Sequence, residues 1–130
     1  MDKKRIADIV ERGAVLFPDF ETDAAEIPWS PHSKWKGVFL KDLVTGKETD
    51  GKLSYHLVKI LNDCEVGDHG HANQWEWNLI ISGNGIFIIG DKEVTIVPGQ
   101  TFVTPPGIHH IVSADDEELL LLAIFTPALV

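Results

Sequence analysis

The sequence predicts an all-β sandwich or barrel from Gly37 onward, preceded by a short helix and an extended arm. Three observations carry that prediction. After Gly37 the chain divides into short runs rich in Val, Ile, Leu and Phe. Turn residues interrupt these runs at intervals of about 8 to 12, the rhythm of antiparallel sheets. No connection between them is long enough to hold the helical crossover that parallel strands require.

Taken in order, the first element is a helix between Asp2 and Arg12. Ile6, Ile9 and Val10 recur there at helical spacing, and Gly13 stands where a helix end adopts left-handed geometry. From Ala14 to Lys36 the pattern dissolves. Pro18, Pro28 and Pro31 remove backbone donors, and an acidic stretch runs from Glu21 to Glu26, so this part reads as an extended arm or loop. Strands are then expected at Val38 to Val44, Leu53 to Leu61, Gly67 to His71, Trp75 to Ile81, Gly85 to Ile89, Glu93 to Val97, Thr101 to Thr104, His109 to Ala114, and Leu119 to Phe125. The turns between them include Thr45-Gly46, Asp50-Gly51, Ser82-Gly83-Asn84-Gly85, Gly90-Asp91, Pro98-Gly99 and Pro105-Pro106-Gly107. The division is residues 1–36 as a helix and arm packed on the barrel, and residues 37–130 as the barrel.

A chain of 130 residues with 44% hydrophobic content has material for one core and one domain. Eleven basic against twenty acidic residues leave a formal charge of −9, the wrong sign for a phosphate backbone or an anionic leaflet. No nucleic-acid or membrane partner is expected. Cys64 is the single cysteine, so no intrachain disulfide can form, and a reducing, cytoplasmic setting fits. The basic start, Met1 to Arg5, is followed by Asp8, Glu11 and Arg12 where an export signal would need apolar residues. The longest apolar run, Leu119 to Phe125, is too short to span a bilayer as a helix, and a soluble protein is expected.

Four residues stand out chemically. His69 and His71 are two apart in an expected strand and so share a face, and Glu76 follows at the start of the next strand. His110 opens a later strand after the rigid Pro105-Pro106-Gly107 turn and offers a third imidazole from across the barrel. Three neutral nitrogens and one carboxylate suit Fe, Mn, Ni, Co or Zn as the divalent ion.

The stretch His69-Gly-His71-Ala-Asn-Gln-Trp-Glu76, continuing to Gly83, resembles the first motif of the cupin family. Gly99-Gln-Thr-Phe-Val-Thr-Pro105-Pro-Gly107-Ile-His-His110 resembles the second. The resemblance implies a small double-stranded β-helix, a jelly-roll barrel, with His69, His71, Glu76 and His110 as its metal ligands. Two positions depart from the family pattern: Asp63 stands for the first motif's leading glycine and Ala114 for the asparagine that commonly closes the second. Neither is a ligand position.

The surrounding residues sort by parity. His109 adjoins His110 and faces the other way, so it carries no ligand role. Trp75 and Trp77 point opposite to Glu76, toward packing or an interface. Tyr55 and His56 also have opposite parity, and at most one of them faces the pocket. Trp29 and Trp35 read as packing, and Cys64 as a small buried hydrophobe. Val112 and Ala114 share the parity of His110, and Asn78 and Ile80 that of Glu76. The cavity is therefore expected to be mostly apolar, with no acid–base pair beyond the ligands.

Chemistry carried by the metal itself follows from that expectation. The leading reading is an Fe-type dioxygenase acting on a small enolic or oxygenated molecule. A non-catalytic metal-dependent small-molecule sensor is the alternative from another class, and a metal-dependent lyase or sugar isomerase is a third reading. An arrangement with the four side chains empty is the least economical, since buried imidazoles and a carboxylate need partners. Edge strands, the Trp75 and Trp77 face and the long arm point to a homodimer.

Overall fold

The computed structural model describes residues 3–130. Helix α1 spans Lys3–Arg12; Met1 and Asp2, at the start of the expected helix and of the basic leader, lie outside the described residues. The segment read as an arm holds more order than its sequence suggests. Strands β1 (Ala14–Leu16) and β2 (Glu21–Asp23) form a hairpin, with Val15 opposite Thr22. A single 3-10 turn follows over Ala24–Glu26, and Asp23 Oδ1 accepts from the Ala25 amide at 3.0 Å to cap it. Strand β3 (Ser30–Pro31) then pairs with β4 (Val38–Val44). Pro18 and Pro28 lie outside the helices and strands and Pro31 on this short edge pairing, where a missing donor costs little.

All nine expected strands form. After β4 and a one-turn helix α2 (Gly46–Thr49), closed by a Thr45–Glu48 capping box, come β5 (Ser54–Ile60), β6 (Glu65–His69), β7 (Trp75–Ser82), β8 (Gly85–Ile89), β9 (Lys92–Ile96), β10 (Thr101–Thr104), β11 (His110–Ala114) and β12 (Leu119–Thr126). They build a six-stranded sheet in the order β10-β7-β12-β5-β4-β3 and a four-stranded sheet in the order β6-β11-β8-β9. Their pairings are antiparallel. The fold is the all-β jelly-roll barrel with its short N-terminal helix.

The main core lies between the sheets and includes Val38, Val58, Ile60, Ile80, Phe87, Val112 and Leu121. A second layer covers the outer face of the six-stranded sheet, where Leu43, Leu57 and Leu120 are buried with Ala24 and packed by Val10, Val15 and Trp29. The apolar run in β12 therefore has two buried faces, which is why it does not alternate. Lys41 sits in this outer layer. Only 4% exposed, its ammonium donates to the Ala24 carbonyl at 2.7 Å and the Glu11 carbonyl at 3.0 Å. It fastens the end of α1 and the 3-10 turn to the sheet, while Lys59 covers the Trp29 ring at 4.3 Å.

Candidate metal centre

The four chemically distinctive residues come from both sheets and meet at one point. Strand β6 ends at His69, two residues earlier than expected, so His71 reaches the site from the following turn and not by strand alternation. Contacts between two loops produce that turn. The Gly107 amide donates to the His71 carbonyl at 2.8 Å, and Gly70 lies against the His109 ring and Ile108 carbonyl. A Cβ at Gly70 would come within 2.9 Å of His109 Cδ2, so the glycine permits the approach. Gly107, at φ +80, supplies the left-handed turn that leads into His110.

His110 is the direct cross-strand neighbour of His69, and Glu76 projects from β7 in the facing sheet. The ring centroids of His69 and His110 are 4.2 Å apart, those of His69 and His71 5.2 Å. One potential donor atom from each of His69, His71, Glu76 and His110 lies within 4.8 Å of the others. Such spacing accommodates a cation bound at about 2.0–2.2 Å to nitrogen and oxygen.

Hydrogen bonds orient the imidazoles. The Gly67 carbonyl, at 2.8 Å, can only accept, so His69 Nδ1 carries the proton and Nε2 keeps a lone pair. His110 Nδ1 likewise faces the Ile108 carbonyl at 3.4 Å. His110 Nε2 and His71 Nε2 each lie 3.3 Å from Glu76 Oε1. These contacts lack hydrogen-bond alignment, and both Glu76 Oε1 and His110 Nε2 are buried without a hydrogen-bond partner. Glu76 Oε2 is satisfied by the Asn78 amide at 2.9 Å.

The charge state follows from the same neighbours. Burial pushes the Glu76 carboxyl up, but the facing His110 and His71 imidazoles and the Asn78 amide outweigh it and hold the group at about 2. Burial pushes His69 below its ordinary value, against the opposing pull of the Gly67 carbonyl. At neutral pH the site therefore presents an anionic oxygen beside a neutral His69. His110 Nε2 and Glu76 Oε1, buried without a hydrogen-bond partner, are relieved by positive charge between them, and one metal ion can serve all four donors. The residues fit such an ion.

They face a cavity of about 140 Å³ whose walls include Leu40, Val58, Val112, Leu121 and Phe125. Val112 and Asn78 line it as expected. Ala114 and Ile80 are buried in the core but do not reach the cavity wall. The expected lack of acid or base groups is corrected. Asp42, His56 and His32 also line the cavity, and His56 is the member of the Tyr55–His56 pair that faces inward. His56 Nδ1 lies 2.7 Å from Asp42 Oδ1, and Nε2 lies 2.9 Å from Ser54 Oγ. His32 Nδ1 accepts from the Lys34 and Trp35 amides, and burial followed by the Lys34 charge lowers its pKa. Strand parity could have flagged His56. The Asp42 partnership depends on β4–β5 register, which no spacing in the sequence reveals.

The remaining residues fall where parity places them. His109 turns to solvent beside Asp68 at 3.3 Å, away from the four donors. Trp75 and Trp77 are 45% and 40% exposed on the outer face while Glu76 between them is buried. Trp35 packs over Gly67 and Trp29 joins the outer layer, while Cys64, expected to be buried, is only partly so where it packs against the main core beside Gly37.

A family model described as "Cupin domain" matches residues 56–125. No curated protein matches the chain. Among solved structures, it is similar to a predicted oxalate decarboxylase from Thermotoga maritima, with 25% identity and a TM-score of 0.73, over 79% of this chain and 95% of that one. KdgF from Halomonas sp. is 19% identical at a TM-score of 0.70, over 79% of this chain and 90% of that one. The DMSP lyase DddQ from Ruegeria pomeroyi is 17% identical at a TM-score of 0.70, over 82% of this chain and 59% of that one.

Proposed function

This chain belongs to the cupin family, and on that footing we propose that it is a metal-dependent enzyme acting on a small enolic or otherwise oxygen-bearing molecule. His69, His71, Glu76 and His110 hold one divalent transition ion. The observation that carries this reading is the buried face-off of His110 Nε2 and Glu76 Oε1, both without a hydrogen-bond partner, among four donors within 4.8 Å. The donor set suits Fe, Mn, Ni, Co or Zn. When bound, the ion supplies positive charge that polarises a substrate oxygen.

Two reaction classes divide the reading. Conversion by proton transfer, as in a lyase or isomerase, is supported best, because the cavity holds an Asp42–His56 pair besides the donors. One structural neighbour is described as a lyase, a name of that class. An Fe-type dioxygenase is the second reading, supported by the apolar wall of Val58, Val112, Leu121 and Phe125 beside the donors.

Protein loaded with Fe(II) under argon and offered a panel of enolic and 2-oxo acids separates these classes. Anaerobic substrate loss is the expected result. Loss only in air, with oxygen uptake, moves the assignment to a dioxygenase. Saturable binding with no conversion in either atmosphere contradicts an enzyme and favours a metal-dependent sensor.

We also propose a homodimer joined through the exposed Trp75 and Trp77 face beside edge strand β10. Light scattering at micromolar concentration is expected to give twice the chain mass, and a monomer contradicts it. Among the described residues no helix is long and apolar enough to cross a membrane. The free Cys64 thiol fits a reducing compartment, which we propose to be the cytoplasm.

A further inference from the structure

Asp42 lines the cavity of the four donors without being one of them. It is held from behind by a chain of hydrogen bonds. The Leu129 amide donates to Ser54 Oγ at 2.9 Å, and the Ser54 hydroxyl donates to His56 Nε2 at 2.9 Å. His56 Nδ1–H then donates to Asp42 Oδ1 at 2.7 Å. Since a carboxylate oxygen can only accept there, the tautomer of His56 is set by Asp42.

The chain has one open end. Ser54 is fully buried and the His56 side chain only 3% exposed, whereas the Asp42 side chain is 45% exposed. Among the described residues, Asp42 Oδ2 has no protein donor. Asp42 also stands where the β4–β5 register shifts, between Asp42 and Val44, a local irregularity of the kind that re-aims side chains next to active sites. The Phe125 ring touches both His56 and His71, with centroids 5.6 and 5.0 Å away, so the two polar groups border the same apolar ring.

We propose that Asp42 is the proton-transferring group of this cavity, aimed by His56 and Ser54 at a substrate whose carbonyl oxygen faces His69, His71, Glu76 and His110. The inference rests on the enzymatic reading of the site and adds its base. Asp42 Oδ2 takes the proton from a C–H bond next to the carbonyl. The C–H electron pair becomes the C=C bond of the enolate, and the carbonyl π pair moves onto the oxygen. Asp42 then returns the proton to another substrate atom, and no oxidant or reductant is consumed. The substrate class is a small 2-oxo acid or hydroxy ketone with an enolisable C–H. His56 and Ser54 are positioning residues.

The test uses full-length protein loaded with Zn(II), in D2O, with pyruvate, 2-oxobutyrate and dihydroxyacetone as probes and C–H to C–D exchange followed by NMR. The native protein is expected to accelerate exchange of at least one probe. Asp42→Asn is expected to lower that rate by about 100-fold or more, within the range of general-base contributions. Zinc content should stay at the native value. His56→Gln is expected to lower the rate by about 10-fold, through misplacement of the carboxylate. Independently of turnover, the hydrogen-bonded His56 Nδ1–H resonance should be present in the native protein, kept in Asp42→Asn, whose amide oxygen still accepts, and lost in Asp42→Ala, which has no acceptor; a resonance unchanged in Asp42→Ala overturns the positioning of Asp42 by His56.

Native exchange that persists unchanged in Asp42→Asn at full zinc occupancy overturns the role of Asp42 and leaves the enzyme reading standing. No exchange of any probe by the native protein overturns both. If Asp42→Asn does not fold, Asp42→Glu replaces it, with an expected loss of at least about 10-fold; an unchanged rate overturns the inference.

Discussion

Two polar clusters share one cavity and differ in how they are satisfied. At the donor cluster, Glu76 Oε1 and His110 Nε2 are buried with no hydrogen-bond partner. Across the Phe125 ring, His56 has both ring nitrogens engaged, by Asp42 and Ser54. The first cluster is incomplete without added positive charge, whereas the second is complete as protein and offers only a carboxylate oxygen outward. An orphaned pair marks a place for a ligand, and a satisfied network holds its members rigidly in place.

The comparison breaks most visibly if the two clusters prove equally necessary for metal. His71→Ala is expected to weaken divalent-ion affinity by more than about 100-fold, beyond the 10- to 100-fold cost of losing a supporting partner. His56→Gln should leave affinity within about twofold, as expected for a site outside the donor set. Isothermal titration of the two variants side by side gives the answer.

Acid sharpens the same contrast. The folded-state pKa of Glu76 is depressed to about 2 from an ordinary 4.5, so its contribution to the metal-free fold is present above pH 4.5 and is lost as pH falls toward 2. His69, also depressed, contributes above its ordinary 6.5 and loses that contribution as pH falls further. Chemical denaturation at a series of pH values should show metal-free stability dropping on the acid side, and Glu76→Gln should flatten the part of the slope below pH 4.5.

A third buried polar group calibrates the other two. Lys41 is satisfied by two carbonyls and lies on the far side of the six-stranded sheet. Lys41→Met is expected to cost about 1–3 kcal/mol in urea unfolding, because it orphans those carbonyls, while metal affinity stays native. The smallest effect belongs to His109, exposed beside Asp68. His109→Ala should alter neither stability nor metal affinity by more than about 0.5 kcal/mol. A loss equal to that of His71→Ala would mean that the ligand of the adjacent pair is His109.

How much of this was legible in the sequence depends on how far apart the cooperating residues lie. Strands β4 to β12 could be read because alternating apolar runs and Gly- or Pro-bearing turns record burial on a two-residue period. The donor set could be read because His69, His71 and Glu76 sit within one short segment and His110 follows a recognisable turn. The reason offered for His71 did not hold, since loop contacts at Gly70 and Gly107, not strand alternation, bring it in. The hairpin of β1 and β2 escaped because its strands are three residues long and pack on a sheet made elsewhere. The Asp42–His56 contact escaped because it depends on the register of β4 against β5 and on a neighbouring irregularity, neither of which leaves a periodic trace.

We propose above that one cation is gripped jointly by side chains from the two sheets. Crystals soaked in Co(II) and measured at the cobalt absorption edge test it most directly. One strong anomalous peak per chain is expected, about 2.0–2.2 Å from a nitrogen of each of His69, His71 and His110 and from Glu76 Oε1. A peak elsewhere, or one that leaves out His110, would contradict it.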